Sequence, residues 1–263
     1  MLEKVVVLGK GFLGKKFEQR GFEVWGKDVL NVEGLTDLSV LDPYNIIINC
    51  IGKSNTRWCE NRDNFAGALW SNGLVPGILS KYCAAEGKRF VHVSTGCLYD
   101  DGLVAQDESS LLAAHCNYTV TKWVGEQRCR DNDLILRPRL FFGDTVDRNN
   151  LLCKLPKFKK FITVCNSYTS TDVIVNATIA LILNKCTGVF NVACDGFATV
   201  SRLATLIGVI TNSHRNVCIT PRELCAAEHL HLVNNCMNIH KLKEFYQPPL
   251  LKDEIMRCWR AIQ

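Results

Sequence analysis

Lys4-Val5-Val6-Val7-Leu8-Gly9-Lys10-Gly11-Phe12-Leu13-Gly14 is the stretch that decides the fold. Val5 to Leu8 form a short unbroken apolar run, the pattern of a parallel strand covered on both faces. The residues that follow spell Gly-x-Gly-x-x-Gly, and Phe12 to Arg20 reads as a helix, so the motif stands in the order strand, tight turn, helix. In that order Gly9 allows the turn, Gly11 lets the backbone approach a pyrophosphate, and Gly14 lets helix and strand pack closely. Phe12 and Leu13 complete the loop, and the phosphates would lie on the helix N-terminus. The stretch therefore implies a dinucleotide-binding unit.

Working outward, the same rhythm repeats. Phe22 to Gly26 reads as a second strand, followed by the residues that discriminate between nicotinamide cofactors. Asp28 could accept from the ribose hydroxyls of NAD, whereas Lys27 could meet the 2′-phosphate of NADP. Opposite charges side by side leave the choice open; NADPH is preferred because reductive biosynthesis draws on it, and NADH stays possible. Ile46 to Asn49 is a third apolar strand. Asn72 to Ala85 has helical periodicity, with Leu74, Ile78, Leu79 and Tyr82 on one stripe. Arg89 to Val93 is a strand ending in Ser94-Thr95-Gly96-Cys97, which places the Thr95 hydroxyl at a carboxyl end, where doubly wound sheets bind ligands. Leu134 to Leu136 closes the alternation. The expected fold is α/β, a Rossmann-type doubly wound parallel sheet with a small C-terminal substrate-binding α/β region.

Between these last strands lies Tyr118-Thr-Val-Thr-Lys122. Tyrosine and lysine four apart on a helix share a face one turn apart. An ammonium beside a phenol favours the phenolate, so a group with an ordinary pKa of about 10 can be brought toward working pH to pass a proton. On its own the pair is equally a packed tyrosine beside a solvated lysine. Its order after the glycine loop and Thr95 favours the chemical reading.

Composition narrows the rest. The chain has 263 residues, 47% hydrophobic and 22% charged, with a formal charge of +5. That is enough for one large core, or a large and a small one. Lys157 to Lys160 is the densest basic patch; a solvated face explains it better than a nucleic-acid surface, and no nucleic-acid partner is expected. No run of about 18 apolar residues suggests a membrane span, and no signal-peptide pattern opens the sequence, so the expected setting is the cytosol. The 14 cysteines include no Cys-x-x-Cys and read as reduced, mostly packed thiols. His229, His231 and His240 show no ligand spacing, so no metal is expected.

After Phe142-Gly143 the rhythm breaks. We read residues 1–143 as the dinucleotide-binding domain and 144–263 as a smaller substrate-binding domain with an interleaved boundary. The second contains a helix from Asp172 to Leu183, a strand from Val189 to Val192 and a helix from Thr199 to Ile210 with Ser201 as N-cap.

Taken together, Gly-x-Gly-Phe-Leu-Gly, Ser94-Thr95 and Tyr118-x-x-x-Lys122 resemble the extended short-chain dehydrogenase/reductases. Ile48-Asn49-Cys50, Trp58-Cys59-Glu60, Thr95-Gly96-Cys97-Leu98-Tyr99, Leu136-Arg137-Pro138 and Gly188-Val189-Phe190-Asn191-Val192 are similar to the dTDP-4-dehydrorhamnose reductase branch. Within it, Thr95-Gly96-Cys97 and Trp58-Cys59-Glu60 are especially similar to the plant-type UDP-4-keto-6-deoxyglucose 3,5-epimerase/4-reductases. The resemblance covers roughly residues 4 to 205. It implies NAD(P)H-dependent reduction of a 4-keto-6-deoxy nucleotide sugar. Tyr118 would give the proton, Lys122 would lower the tyrosine pKa and hold the nicotinamide ribose, and Thr95 would bond the keto oxygen. It further implies that Cys97 and Lys154 serve as the acid/base pair of C3 and C5 epimerisation. Arg139, Lys154 or the 157–160 patch could bind the pyrophosphate, and a homodimer is compatible. Two alternatives stay open: a cofactor-binding regulatory subunit like the partner of methionine adenosyltransferase, or an NAD-retaining nucleotide-sugar 4-epimerase.

Overall fold

The computed structural model describes residues 4–26, 37–101, 104–209, 217–220, 223, 226 and 233–263. It divides into two compact units. The first comprises Met1–Leu98, Ala114–Arg137 and Lys185–Phe190; the second comprises Tyr99–Ala113, Pro138–Asn184 and Asn191–Gln263. The chain thus passes between the units several times; the sequence reading placed the main division at residue 143 with an interleaved boundary.

In chain order the first unit is built from β1 (Val5–Leu8), α1 (Phe12–Gln19), β2 (Glu23–Trp25), β3 (Ile46–Asn49), α2 (Thr56–Glu60), α3 (Phe65–Ala68), α4 (Val75–Ala85), β4 (Arg89–Val93), α5 (Asn117–Gln127) and β5 (Leu134–Pro138). A sixth strand, Gly188–Val192, completes a sheet ordered Gly188–Val192, β5, β4, β3, β1, β2. The pairs β1 with β2, β1 with β3, β3 with β4 and β4 with β5 are all parallel. The order reverses between β1 and β3, and the crevice beyond the carboxyl ends of such a pair is the ligand-binding position of the doubly wound fold.

The apolar runs explain why these strands are central. All four residues of β3 are buried, as are Val6, Val7 and Leu8 of β1, so both faces are covered. On one side Val6, Leu8 and Ile47 pack with Val75, Leu79 and Cys83 of α4, Phe90 of β4 and Leu41. Each such side chain contributes about 1.5–3 kcal/mol by leaving water. The expected helix at 72–85 is longer and irregular: α3 runs into a π-helical segment, Leu69–Leu74, and then into α4. The π segment fits because of its contact with α5, described below.

In the second unit the tail proves integral. The Tyr99 hydroxyl donates to Asn191 Oδ1 at 2.8 Å, and the Asn191 amide donates to the carbonyls of Gln106 and Asn238, both at 3.0 Å. Gln106 also pairs in β-bridge fashion with Met237. Tyr99, Gln106, Asn191 and residues 236–238 therefore form one hydrogen-bonded assembly, a role for Asn191 that local sequence patterns do not reveal. Helix Thr171–Leu183 is capped by Ser170, whose hydroxyl accepts from Val173 N and donates to Glu254 Oε1 at 2.6 Å. Glu254 and Asp172 hold Arg257. The helix expected at 199–210 spans Val200–Leu206, and its N-cap is Thr199, which accepts from Arg202 N, in place of Ser201. Ser201 is already inside the first turn, with its hydroxyl 2.8 Å from that of Thr199. Among the described residues no helix is long and apolar enough to cross a membrane, and no cluster of ligating side chains could hold a metal.

Candidate active site

The glycine loop has the geometry its spacing demands. Gly9 has φ +108°, and a Cβ there would lie 2.8 Å from the Cys50 carbonyl carbon and from Ile51 N, so loop and β3 end are in backbone contact. A Cβ on Gly14 would fall 1.9 Å from Gly9 O, which leaves glycine as the only residue compatible with this turn. Gly11 is the opposite case: nothing lies within 4 Å of where its Cβ would be. Gly11 caps α1 with extended backbone and no side-chain cap, so the first-turn N–H groups have no capping side chain. Open backbone at a helix N-terminus fits a pyrophosphate. Phe12 and Leu13 form the first turn of α1. Lys27 and Asp28, the expected cofactor discriminators, lie outside the described residues, as do His229 and His231.

Beyond β4, Ser94 and Thr95 are buried. Gly96–Leu98 forms one 3₁₀ turn, in which Cys97 N donates to Thr95 Oγ1 at 3.1 Å. The Thr95 hydroxyl is also hydrogen-bonded to the Tyr118 phenol. Cys97 is part-exposed, and its electrostatic influence reaches Tyr118.

Helix α5 starts where three local contacts stop the chain from extending. Thr119 Oγ1 accepts from Cys116 N at 3.0 Å, Glu60 Oε1 accepts from Tyr118 N at 3.3 Å, and the Asn117 amide donates to Cys59 O at 3.3 Å. Trp58-Cys59-Glu60 therefore anchors the turn that carries Tyr118, with a carboxylate where the helix dipole favours one. Farther along, a Cβ on Gly125 would lie 2.0 Å from Asn72 O, so α5 and the π segment touch backbone to backbone. Asn72 is buried and uses its amide fully: Oδ1 accepts from Lys53 N at 2.7 Å, while Nδ2 donates to Lys53 O and Thr121 Oγ1, both at 3.1 Å. It clamps the loop after β3 to α5. Sequence reading missed Asn72; a buried amide inside an otherwise apolar helix was the available signal. Gly125→Ala is expected to cost about 1–3 kcal/mol of stability through overpacking. Chemical denaturation checks this, and an unchanged midpoint would mean that α5 and the π segment are not locked there.

Lys122 is buried and donates from Nζ to Val93 O at 2.7 Å. Burial lowers its pKa to about 8, opposed chiefly by the negative charge of Glu126. The Tyr118 pKa is raised above its ordinary value, first by burial and then by Cys97, with the Thr95 bond pulling the other way. This corrects the expectation that Lys122 lowers it. The ammonium is spent on the Val93 carbonyl, while burial penalises a phenolate. The phenol consequently holds its proton at neutral pH, the state required of a proton donor.

Cys50 is pushed up to about 12 by burial, and His92, fully buried beside Asn49, is held well below its ordinary range for the same reason. The floor beneath Lys122 thus carries neutral groups on those two sides. On its own helix, one turn on, stands Glu126, to which Arg137 Nε donates at 3.1 and 3.2 Å and Ser94 Oγ donates at 2.7 Å.

In the second unit, Lys154 ends a short helix, Leu151–Lys154, whose N-cap Asn150 accepts from Leu152 N and donates to the carbonyls of Gly143 and Thr145. Lys154 is half-buried, and burial lowers its pKa, opposed by Asp147. Arg139, one of the expected pyrophosphate ligands, is buried, and its guanidinium donates to Asn166 Oδ1 at 2.6 Å and to Val233 O. That is a structural use of the side chain. Lys157, Lys159 and Lys160 are exposed.

The parallel sheet, with the glycine loop at its reversal point and Thr95, Tyr118 and Lys122 beyond its carboxyl ends, makes up a Rossmann-type doubly wound α/β fold. Among known proteins the chain is similar to UDP-rhamnose synthases and dTDP-4-dehydrorhamnose reductases. The fold matches that of the UDP-rhamnose synthase of Acanthamoeba polyphaga mimivirus with a TM-score of 0.84 at 20% identity, covering 99% of both chains. It matches dTDP-4-dehydrorhamnose reductase of Bacillus anthracis, solved in complex with NADP, with a TM-score of 0.84 at 18% identity over 99% of both chains. In sequence the chain is 24% identical to an Arabidopsis thaliana trifunctional enzyme: UDP-glucose 4,6-dehydratase, UDP-4-keto-6-deoxy-D-glucose 3,5-epimerase and UDP-4-keto-L-rhamnose reductase. That match covers 97% of this chain but 41% of the relative, so the chain spans less than half its length. No family model matches the chain.

Proposed function

We propose that the protein is an NAD(P)H-dependent reductase of a 4-keto-6-deoxy nucleotide sugar that also epimerises its substrate at C3, and at C5 where the sugar requires it. The observation that carries this reading is the Tyr118 phenol, kept protonated and hydrogen-bonded to Thr95 with Lys122 one turn away, at the carboxyl ends of a parallel sheet whose glycine loop is open for a pyrophosphate. A nicotinamide dinucleotide, when bound, supplies the hydride for C4, with Gly9, Gly11, Phe12, Leu13 and Gly14 holding its pyrophosphate and Lys122 its ribose. NADPH is the proposed form. Tyr118 gives its proton to the oxygen that becomes the alcohol, and Thr95 donates to the same oxygen as negative charge develops there. The Lys122 ammonium adds positive potential beneath the pair.

Epimerisation uses the acidity of carbons beside a C4 ketone. Cys97 takes the proton from one face as thiolate, and Lys154 returns one to the other. The half-buried environment of Lys154, which eases loss of its proton, supports that role. Both activities are named for the Arabidopsis thaliana relative.

The test is to incubate the protein with UDP- or dTDP-4-keto-6-deoxyglucose in deuterated water, with and without NADPH, and follow the sugar by proton NMR. NADPH-dependent conversion to a 6-deoxy sugar nucleotide is expected, preceded by deuterium entry at C3 or C5. Neither process with either nucleotide would overturn the reading.

A further inference from the structure

The end of β4 and one face of α5 are registered residue by residue. Val93 O accepts from Lys122 Nζ at 2.7 Å, Ser94 Oγ donates to Glu126 Oε2 at 2.7 Å, and the Thr95 hydroxyl bonds Tyr118. Val93 and the two residues that follow β4 are thus gripped by three consecutive turns of one helix. Only the middle grip has no place in the chemistry described so far. Glu126 is buried, and so is Arg137, whose guanidinium forks onto both carboxylate oxygens from β5. Ser94 N meanwhile donates to Leu136 O at 2.7 Å, so the same corner ties β4 to β5.

We propose that Glu126 is a positioning residue of the reductase site: clamped by Arg137 and Ser94, its carboxylate fixes Thr95 against Tyr118 and serves as counter-ion to the Lys122 ammonium. The inference rests on the reductase reading for its kinetic consequence, and on geometry for the rest.

Charge accounting supports the counter-ion role. The titratable groups around Lys122 come from several elements: Tyr118 and Glu126 on α5, Cys129 just past its C-terminal end, Cys50 after β3, His92 on β4, and Arg137 on β5 behind Glu126. Burial keeps the Cys50 and Cys129 thiols and the Tyr118 phenol protonated and His92 neutral. Glu126 supplies the negative charge among them, and it is the main influence favouring the charged form of Lys122. The i,i+4 spacing of Lys122 and Glu126 puts the pair about 5–6 Å apart at Cβ. A plain structural ion pair would need none of this alignment with the site.

Glu126→Gln keeps the shape and an acceptor for Ser94 but removes the charge. Stability will fall in any case, because Arg137 stays buried with less compensation, so stability is not the readout. The experiment is a ¹⁵N NMR titration of the Lys122 ammonium, assigned by its loss in Lys122→Met, together with the pH profile of kcat. In the unsubstituted protein the midpoint is expected near 8. In Glu126→Gln it is expected to fall by about one unit, and the alkaline limb of kcat is expected to move down with it, because the active form is the charged one. At the optimum, kcat is expected to drop about tenfold with KM little changed. Glu126→Asp, which restores the charge, should recover the midpoint.

If Glu126→Gln does not fold, Ser94→Ala answers the positioning half: kcat should fall with the Lys122 midpoint unmoved. A midpoint and alkaline limb unchanged in Glu126→Gln would overturn the proposal, as would full kcat in Ser94→Ala. The NMR titration needs no substrate. An inactive unsubstituted protein in which Glu126→Gln still moves the midpoint would therefore sink the reductase reading and the kinetic half, while confirming the counter-ion.

Discussion

Tyr118→Phe is expected to lower kcat for ketone reduction by about 10²–10⁴-fold, the usual share of a positioned general acid, while leaving cofactor affinity unchanged. The substitution removes one oxygen. The ring stays, and so do the contacts that place it: Glu60 with the Tyr118 backbone, the Asn117 amide with Cys59, and the Asn72 contact with Gly125 and Thr121. The loss of the phenol leaves the Thr95 hydroxyl to Cys97 N alone. Stopped-flow reduction at saturating substrate, alongside fluorescence titration with NADPH, separates the two quantities. Turnover at the unsubstituted rate would remove Tyr118 from the chemistry. Because the phenol pKa is raised by burial, the acid form persists through neutral and mildly alkaline pH. The first group to fail on the alkaline side is Lys122, near pH 8, so the rate should decline from there upward.

The parts of this site legible in the sequence are those written in short-range patterns. Val5 to Leu8 with Gly9, Gly11 and Gly14 specify a strand, a turn and a helix start within ten residues, and a Cβ would meet backbone at Gly9 and Gly14 but open space at Gly11. Tyr118 and Lys122 share a face because a helix repeats every 3.6 residues. What escaped notice depends on partners far along the chain. Glu126 meets Ser94, 32 residues away, and Asn72 meets Thr121, 49 residues away. A glutamate and an asparagine on helices look like ordinary surface residues until the strand that buries them is placed.

A lysine beside a tyrosine suggested a depressed phenol pKa, but desolvation outweighs the ammonium, which is engaged by a carbonyl. Arg139 suggested a phosphate ligand, but its register in the second unit points the guanidinium at Asn166 and Val233. Residues 236–238 of the tail matched no pattern because they pair through the backbone with Gln106, which leaves little side-chain signature.

Cys97→Ser is expected to separate the two proposed activities. Deuterium entry at C3 and C5 of the 4-keto sugar should fall by about 10²-fold or more, the share of a positioned acid/base group, while reduction of a 4-keto sugar already in the epimerised configuration proceeds. A serine hydroxyl keeps the volume and polarity of the side chain, but it ionises far less readily than a thiol, whose ordinary pKa is about 8.5. The exchange leaves untouched the backbone bond from Cys97 N to Thr95 Oγ1 that closes the turn. That same contact makes the experiment discriminating. If Cys97 were only a packed thiol, serine would leave exchange intact and, at most, loosen the Gly96–Leu98 turn. Thr95 would then shift and reduction would suffer first. The two roles thus predict opposite orders of damage, exchange before reduction or reduction before exchange, which one proton NMR time course in deuterated water can read.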